Sequence, residues 1–291
     1  MHVAQTIRWS EFQNLFKIEY NAIMPSEDLS FRQKYGPWAL VTGAARGLGA
    51  EFARQLAERG LNLLLVDQLA DELEATAAPL RAAVEARTLA LDLTAPDAIT
   101  QIQRAAANLE IGLLVNNAGR STIGHFLDVP LEQHRHVLDL NTRVPLELAY
   151  HFGASMRTRG RGGIVFVSSG SAVVGTAWVS TYSASKAFLR NLGEALWAEL
   201  HPQGVDVLAT IVGATDTPGW RASNPKPEAR VWPPVMLAQD TVRETLDALG
   251  KTPSFYPGRQ NRLAFFFTSR ILSRKAAVLQ LYNEMRKRYE H

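Results

Sequence analysis

From Pro37 onward, short runs rich in Val, Leu and Ile alternate with longer Ala/Leu/Arg/Glu stretches of helical period, and nothing else in the chain constrains its fold as tightly. A strand buried on both faces reads as a near-continuous apolar run, and apolar residues every three to four positions read as a helix covering the sheet. The expected class is α/β, a doubly wound parallel sheet in a single domain. Strands are expected at 38–42, 61–66, 86–91, 111–115, 164–168 and 205–212, with a shorter one near 254–256. At 291 residues and 46% apolar composition the chain is long enough to bury one substantial core.

Segments on either side of this pattern divide the chain. Residues 1–36 carry amphipathic spacing around Trp9, Phe12, Leu15, Phe16 and Tyr20, which predicts an N-terminal helical extension packed on the body or on a partner subunit. Residues 37–258 form the main domain. Within it, about 213–238 holds Pro218, Pro225, Pro227, Pro233 and Pro234 together with Trp220 and Trp232, too proline-rich for regular structure and too aromatic for a solvated linker. That composition predicts a lid over a substrate. Residues 259–291 form a basic helical tail: eight Lys/Arg against Glu284 and Glu290 give +6, which leaves −3 for the remainder of a chain of net charge +3.

Composition also excludes function classes. With no cysteine there are no disulfides, thiolate metal sites or cysteine nucleophile. No body segment interleaves basic and aromatic residues as a nucleic-acid reader does. The first residues lack a cationic start and apolar core, and no apolar run approaches the ~20 residues that span a bilayer, so a cytoplasmic location is expected. His134 and His136 are two apart, point in different directions on a helix and have no carboxylate to complete a metal set; no metal is expected, and both histidines are read as surface residues. The tail from Leu263 to Tyr289 mixes aromatics with arginines. That mixture suits a membrane surface or an acidic partner, although packing on its own body or on a sister chain is preferred.

After the first strand come Thr42, Gly43, Ala44, Ala45, Arg46, Gly47, Leu48 and Gly49, then a helical stretch. Glycines at a strand-to-helix turn let the backbone approach a pyrophosphate, and the first free amides of the helix stabilise that anion. The plain alternative is an ordinary turn; its position between strand and helix raises the dinucleotide reading above it. Asp67 ends the second strand, 24 residues after Gly43, where a carboxylate accepts from the adenosine ribose hydroxyls and repels a 2′-phosphate. This points to NAD. Arg46, a cation inside the turn, keeps NADP open, and Asp67 also suits a helix N-cap.

The glycine spacing, Asn116-Asn117-Ala118-Gly119 after the fourth strand, and Tyr182-Ser183-Ala184-Ser185-Lys186 together resemble the short-chain dehydrogenase/reductase family in its compact branch, over about residues 37–258. The resemblance implies a Rossmann-type oxidoreductase that transfers hydride between a nicotinamide cofactor and a secondary alcohol or ketone. It makes Tyr182 the acid/base, Ser169 the residue that hydrogen-bonds the substrate oxygen, Lys186 the residue that tunes the tyrosine and holds the nicotinamide ribose, and Asn141 the anchor of a water leading from Lys186 to solvent. Lys186 lies one helical turn after Tyr182, hence on the same face, where an ammonium would favour the phenolate of a group with pKa ~10. Ser168 is the competing serine.

On the cofactor side, the resemblance implies backbone and phosphate contacts at Gly43, Arg46, Gly47, Leu48 and Gly49. Asp92 and Leu93 would flank the adenine, Asn117, Ala118 and Gly119 would support the adenosine side, and Thr215 and Thr217 would meet the carboxamide. The family usually has Pro-Gly after the sixth strand; here Val212-Gly213 stands instead. The segment 32–38 resembles the approach to the fold in steroid and fatty-acyl ketone reductases, which implies a lipophilic substrate. Pocket walls are expected at 121–124, 170–174, Trp178, Trp220 and Trp232. A homodimer or homotetramer is expected. Two alternatives stay open: a non-catalytic NAD(P)-sensing protein on this fold, and an NADP-dependent 3-oxoacyl reductase. Acyl transfer is disfavoured because no nucleophile elbow appears.

Overall fold

The structure is a computed structural model that describes residues 30–223 and 233–289. The helix expected around Trp9 to Tyr20, and Pro225, Pro227 and Trp232 of the lid, lie outside the described residues. Strands β1 (Trp38–Thr42), β2 (Asn62–Asp67), β3 (Ala86–Ala90), β4 (Ile111–Asn116), β5 (Gly162–Ser169), β6 (Val205–Val212), β7 (Thr215–Asp216), β8 (Met236–Leu237) and β9 (Ser254–Phe255) alternate with helices. The helices are α1 (Phe31–Tyr35), α2 (Gly47–Glu58), α3 (Ala70–Leu80), α4 (Ala98–Ala105), α5 (Leu131–Leu138), α6 (Val144–Arg159), α7 (Ser180–Leu200), α8 (Pro218–Ala222), α9 (Ala238–Ala248), α10 (Arg259–Phe266) and α11 (Arg274–Tyr289). A seven-stranded parallel sheet runs in the order β3-β2-β1-β4-β5-β6-β9. The class is the one expected.

Two apolar layers sandwich the sheet, because side chains alternate faces along each strand. Leu113, Val115, Val165 and Val167 join Phe52 and Leu56 of α2, Leu73 of α3 and Val242 and Leu246 of α9. Leu114, Ile164 and Phe166 face the other way, onto Ile102 of α4, Leu148 and Met156 of α6 and Leu189 of α7. The strand order reverses direction between β1 and β4, and open α/β sheets bind ligands beyond the carboxyl ends of strands at such a switch point. The strands there end at Thr42 and Asn116, with β5 ending alongside at Ser169.

Several local expectations change. The described ends of the lid segment carry regular structure: β7 pairs with β8 through Thr215↔Met236 and Asp216↔Leu237. Pro218 opens α8 behind the Thr217 cap, a position where the missing N–H costs nothing. Tyr35, within the segment read as N-terminal extension, is buried, and its phenol donates to Asp206 Oδ2 at 2.6 Å. Lys34 reaches the same carboxylate at 2.7 Å and His201 Nδ1 lies 3.0 Å from its other oxygen. His134 is a correction: it is buried, not on the surface, because its Nδ1 stands 2.7 Å from the Thr181 hydroxyl and its Nε2 3.1 Å from the Phe126 carbonyl. His136 is partly buried. Among the described residues no group of side chains is arranged to hold a metal ion, and no helix is long and apolar enough to cross a membrane.

Candidate active site

The glycine turn is stitched to the end of β4 by the side chain of Thr42 and by Asn117. Thr42 Oγ1 accepts from the amides of Asn117 and Ala118, each at 3.1 Å. Asn117 Nδ2 donates to the carbonyls of Thr42 and Gly43 at 2.9 and 3.0 Å. A Cβ on Gly49 would lie 1.9 Å from the Gly43 carbonyl oxygen, so only glycine permits α2 to start this close to β1. Gly47 has φ +61°, the left-handed region that disfavours a side chain, and a Cβ there would press on Thr217. No side chain caps α2. Its first-turn amides therefore remain available for an anion at the positive end of the helix dipole, which fits the pyrophosphate of a dinucleotide.

Asp67 is held rigidly at this turn. Oδ2 accepts from the Ala45 amide at 3.1 Å and Oδ1 from the Leu69 amide at 3.1 Å. The carboxylate thus couples the glycine turn to the residue before α3; it does not cap that helix, whose N-cap is Leu69 with no side-chain hydrogen bond. Arg46 is exposed and lies 3.7 Å from Glu72. Asp92 accepts from the Thr94 amide and hydroxyl at 2.9 and 2.8 Å; these bonds hold its carboxyl below the usual range. Leu93 is buried in the core layer of α4. Leu48 packs against the opposite layer.

At the end of β5 the two serines separate. Ser168 is buried and its hydroxyl donates to the Lys186 carbonyl at 2.7 Å, which ties β5 to α7. Ser169 opens a single 3₁₀ turn, Gly170–Ala172. Its Oγ accepts from the Ser171 amide at 3.3 Å and from the Ser171 hydroxyl at 3.1 Å. A side-chain hydrogen bond with Ser169 favours the phenolate of Tyr182. Ser171, within the 170–174 stretch expected as a pocket wall, is a supporting hydroxyl.

Tyr182 and Lys186 share one face of α7. Lys186 is buried; Nζ donates to the Val167 carbonyl at 2.8 Å and lies 5.6 Å from the Tyr182 ring centroid. A Cβ on Gly119 would come within 3.0 Å of Nζ, so the backbone after β4 runs directly against the ammonium. Burial pushes the Lys186 ammonium down to about 8. Burial also raises the Tyr182 phenol; the Ser169 hydrogen bond opposes that rise and the neighbouring Tyr289 adds to it. Burial is the largest of these effects, and it leaves the phenol above its usual value rather than below it.

Asn141 sits in a π-helical turn, Asp139–Arg143, between α5 and α6. Its Oδ1 accepts from the Arg120 amide at 2.9 Å. Its Nδ2 donates to the Arg120 carbonyl at 2.9 Å and to the Ser185 hydroxyl at 3.0 Å. Thr215 is buried, with its hydroxyl 3.2 Å from the Gly213 carbonyl. Thr217 accepts from the Trp220 amide at 3.1 Å.

The tail completes the site, which nothing in its local spacing announces. Met285 of α11 is clustered with Trp178 and Val179, and Tyr182 and Tyr289 pack against that cluster. The Tyr289 hydroxyl stands 3.1 Å from Ser223, and Arg288 lies over the Trp220 ring at 5.4 Å. Trp178 holds φ +60°, an uncommon backbone for a bulky residue, with its ring against His125 and Tyr282. Val173 and Val174, expected as pocket walls, are buried with Ile211 and Ala277 in a satellite core.

The model of the short chain dehydrogenase family matches residues 37–228. This chain is a short-chain dehydrogenase. It is 29% identical over 239 residues to the 7beta-hydroxysteroid dehydrogenase of Mediterraneibacter gnavus, covering 80% of this chain and 90% of the relative. It is 35% identical over 196 residues to the very-long-chain 3-oxoacyl-CoA reductase of Podospora anserina, covering 65% of this chain and 58% of that protein. A solved 7beta-hydroxysteroid dehydrogenase superposes with TM-score 0.82 at 26% identity over 87% of this short-chain dehydrogenase and 99% of the other chain. A short-chain dehydrogenase from Sphingobium yanoikuyae in complex with NADPH gives TM-score 0.69 at 32% identity, covering 76% and 87% of the two chains. This short-chain dehydrogenase is a nicotinamide-dependent oxidoreductase of alcohols and ketones.

Proposed function

We propose that the protein interconverts a bulky lipophilic secondary alcohol and its ketone, with Tyr182 as acid/base. The observation that carries this reading is the convergence of Ser169, Tyr182 and Lys186 at the carboxyl end of β5, with Lys186 Nζ 2.8 Å from the Val167 carbonyl and 5.6 Å from the Tyr182 ring centroid. The nicotinamide supplies or accepts the hydride when bound. Tyr182 moves the hydroxyl proton and Ser169, primed by Ser171, fixes the substrate oxygen. Lys186 holds the nicotinamide ribose hydroxyls, and Asn141 keeps the loop before Ser121 registered against α7.

Gly43, Gly47 and Gly49, with the uncapped first turn of α2, hold the pyrophosphate. Arg46 and Leu48 flank it, Asp92 and Leu93 border the adenine, Asn117, Ala118 and Gly119 support the adenosine, and Thr215 and Thr217 meet the carboxamide. Asp67 directs the choice to NAD, since its two anchored oxygens place a fixed negative charge beside the turn. The apolar surroundings of Tyr182, namely Trp178, Met285 and Tyr289, support a lipophilic substrate, as do relatives named for steroid and long acyl substrates. Exposed Leu131, Leu138, Leu146 and Tyr150 on α5 and α6 support a homodimer or homotetramer. A cytoplasmic location completes the reading.

The test has two parts. Titration with NADH and NADPH, followed by nicotinamide fluorescence, should give tighter NADH binding; tighter NADPH binding overturns the role of Asp67. Turnover on a panel of hydroxysteroids, 3-hydroxyacyl thioesters, aryl alcohols and short polar alcohols should favour the bulky members, and activity confined to the polar set overturns the pocket reading.

A further inference from the structure

Helix α10 and the π-turn after it, Phe267–Ile271, have two unlike faces. Asn261 and Ala264 are buried, and Phe265 turns inward against Gly170, where an added Cβ would lie 2.2 Å from its ring. On the other side Leu263, Phe266, Phe267 and Ile271 recur at helical spacing and are each more than half exposed. Four large apolar side chains on one short face far exceed the scattered exposure ordinary at a surface. The charge along this segment is of one sign: Arg259, Arg262, Arg270, Arg274 and Lys275 are all exposed, and from Arg259 to Asn283 there is no Asp or Glu; Arg262 is paired with Glu244 of α9 at 3.2 Å.

We propose that this face docks the protein on an anionic lipid bilayer. An apolar stripe flanked by cations binds an interface by burying the stripe among acyl chains while the cations meet anionic headgroups. The charges decide between occupants: pairing two copies through this face would bring the exposed cations of one copy against those of the other, whereas a bilayer supplies the opposite charge. Phe265, on the inner side of the same helix, touches the residue that follows Ser169. Docking therefore sets the catalytic loop about one helix diameter, ~10 Å, from the lipid surface in which an apolar alcohol dissolves.

The experiment is co-sedimentation of the full chain with vesicles of phosphatidylcholine alone and of phosphatidylcholine mixed with phosphatidylglycerol, each at low and high salt. The wild type should pellet with the mixed vesicles, much less with phosphatidylcholine, and be released by salt. The Phe266→Asp/Phe267→Asp variant should bind the mixed vesicles about tenfold more weakly or worse, with its melting curve showing that it folds. An Arg259→Glu/Arg270→Glu variant, altered only at exposed cations, should lose the preference for the anionic lipid. Equal binding to both vesicle types, or unchanged binding of both variants, overturns the proposal. So does a wild-type oligomer that the phenylalanine variant dissociates while neither protein pellets with lipid, since that outcome makes the face a contact between copies.

Discussion

Lys186 Nζ stands 5.6 Å from the centroid of the Tyr182 ring and donates to the Val167 carbonyl at 2.8 Å. The ammonium is held in an interior that disfavours its charge, down to about 8 against 10.5 for an ordinary lysine. Folding therefore opposes protonation at this one site. The cost of that burial to stability is measurable.

That cost has a defined pH window. Below pH 8 the lysine is protonated in both folded and unfolded chains and the full penalty applies; it is relieved as pH rises from about 8 to 10.5. The Lys186→Met variant lacks the penalty. In urea unfolding of the cofactor-free chain, its stability relative to wild type should be greatest below pH 8 and fall by about 3 kcal/mol by the upper end of the window. A difference that does not change with pH would show that the ammonium is not penalised.

Ser169→Ala removes the donor that opposes the burial-driven rise of the Tyr182 phenol. Losing a hydrogen bond that favours the phenolate raises the phenol further, so the limb on which alcohol oxidation increases with pH should move to higher pH. The rate at neutral pH should fall roughly 10²- to 10³-fold, as when a positioned donor to the reacting oxygen is lost. Initial rates across the pH range check both; a slower enzyme with an unmoved limb would confine Ser169 to substrate positioning.

Far from the site, Tyr35→Phe deletes the 2.6 Å bond to the buried Asp206 carboxylate. Lys34 and His201 remain on that carboxylate, so the fold should survive, less stable by about 1.5–3 kcal/mol. Urea unfolding measures it, and turnover should be unaffected at temperatures where the variant is folded.

What was legible in the sequence follows from which contacts are local. The sheet showed because buried parallel strands are apolar on both faces; β5 was read short because Gly162 and Gly163 carry no apolar signal. Helical pitch relates Tyr182 and Lys186, but their roles, and the preference for Ser169 over Ser168 at the same strand end, are implied by the family resemblance. Met285 and Tyr289 did not show: they reach the Tyr182 cluster only through tertiary folding of a tail with no spacing relation to α7. His134 was misread for the same reason, since its burial depends on Thr181, 47 residues away. In the lid, proline content suggested irregular structure, yet Pro218 occupies the first turn of a capped helix, where proline is tolerated.

Tyr182→Phe tests the central claim most directly, because the ring keeps its place beside Trp178, Val179 and Met285 while the proton-carrying oxygen is lost. NADH binding, read by nicotinamide fluorescence, should match the parent, and alcohol oxidation should fall by roughly 10²- to 10⁴-fold. A variant that binds cofactor equally and oxidises the same alcohol at the parental rate would contradict the assignment of Tyr182 as the acid/base.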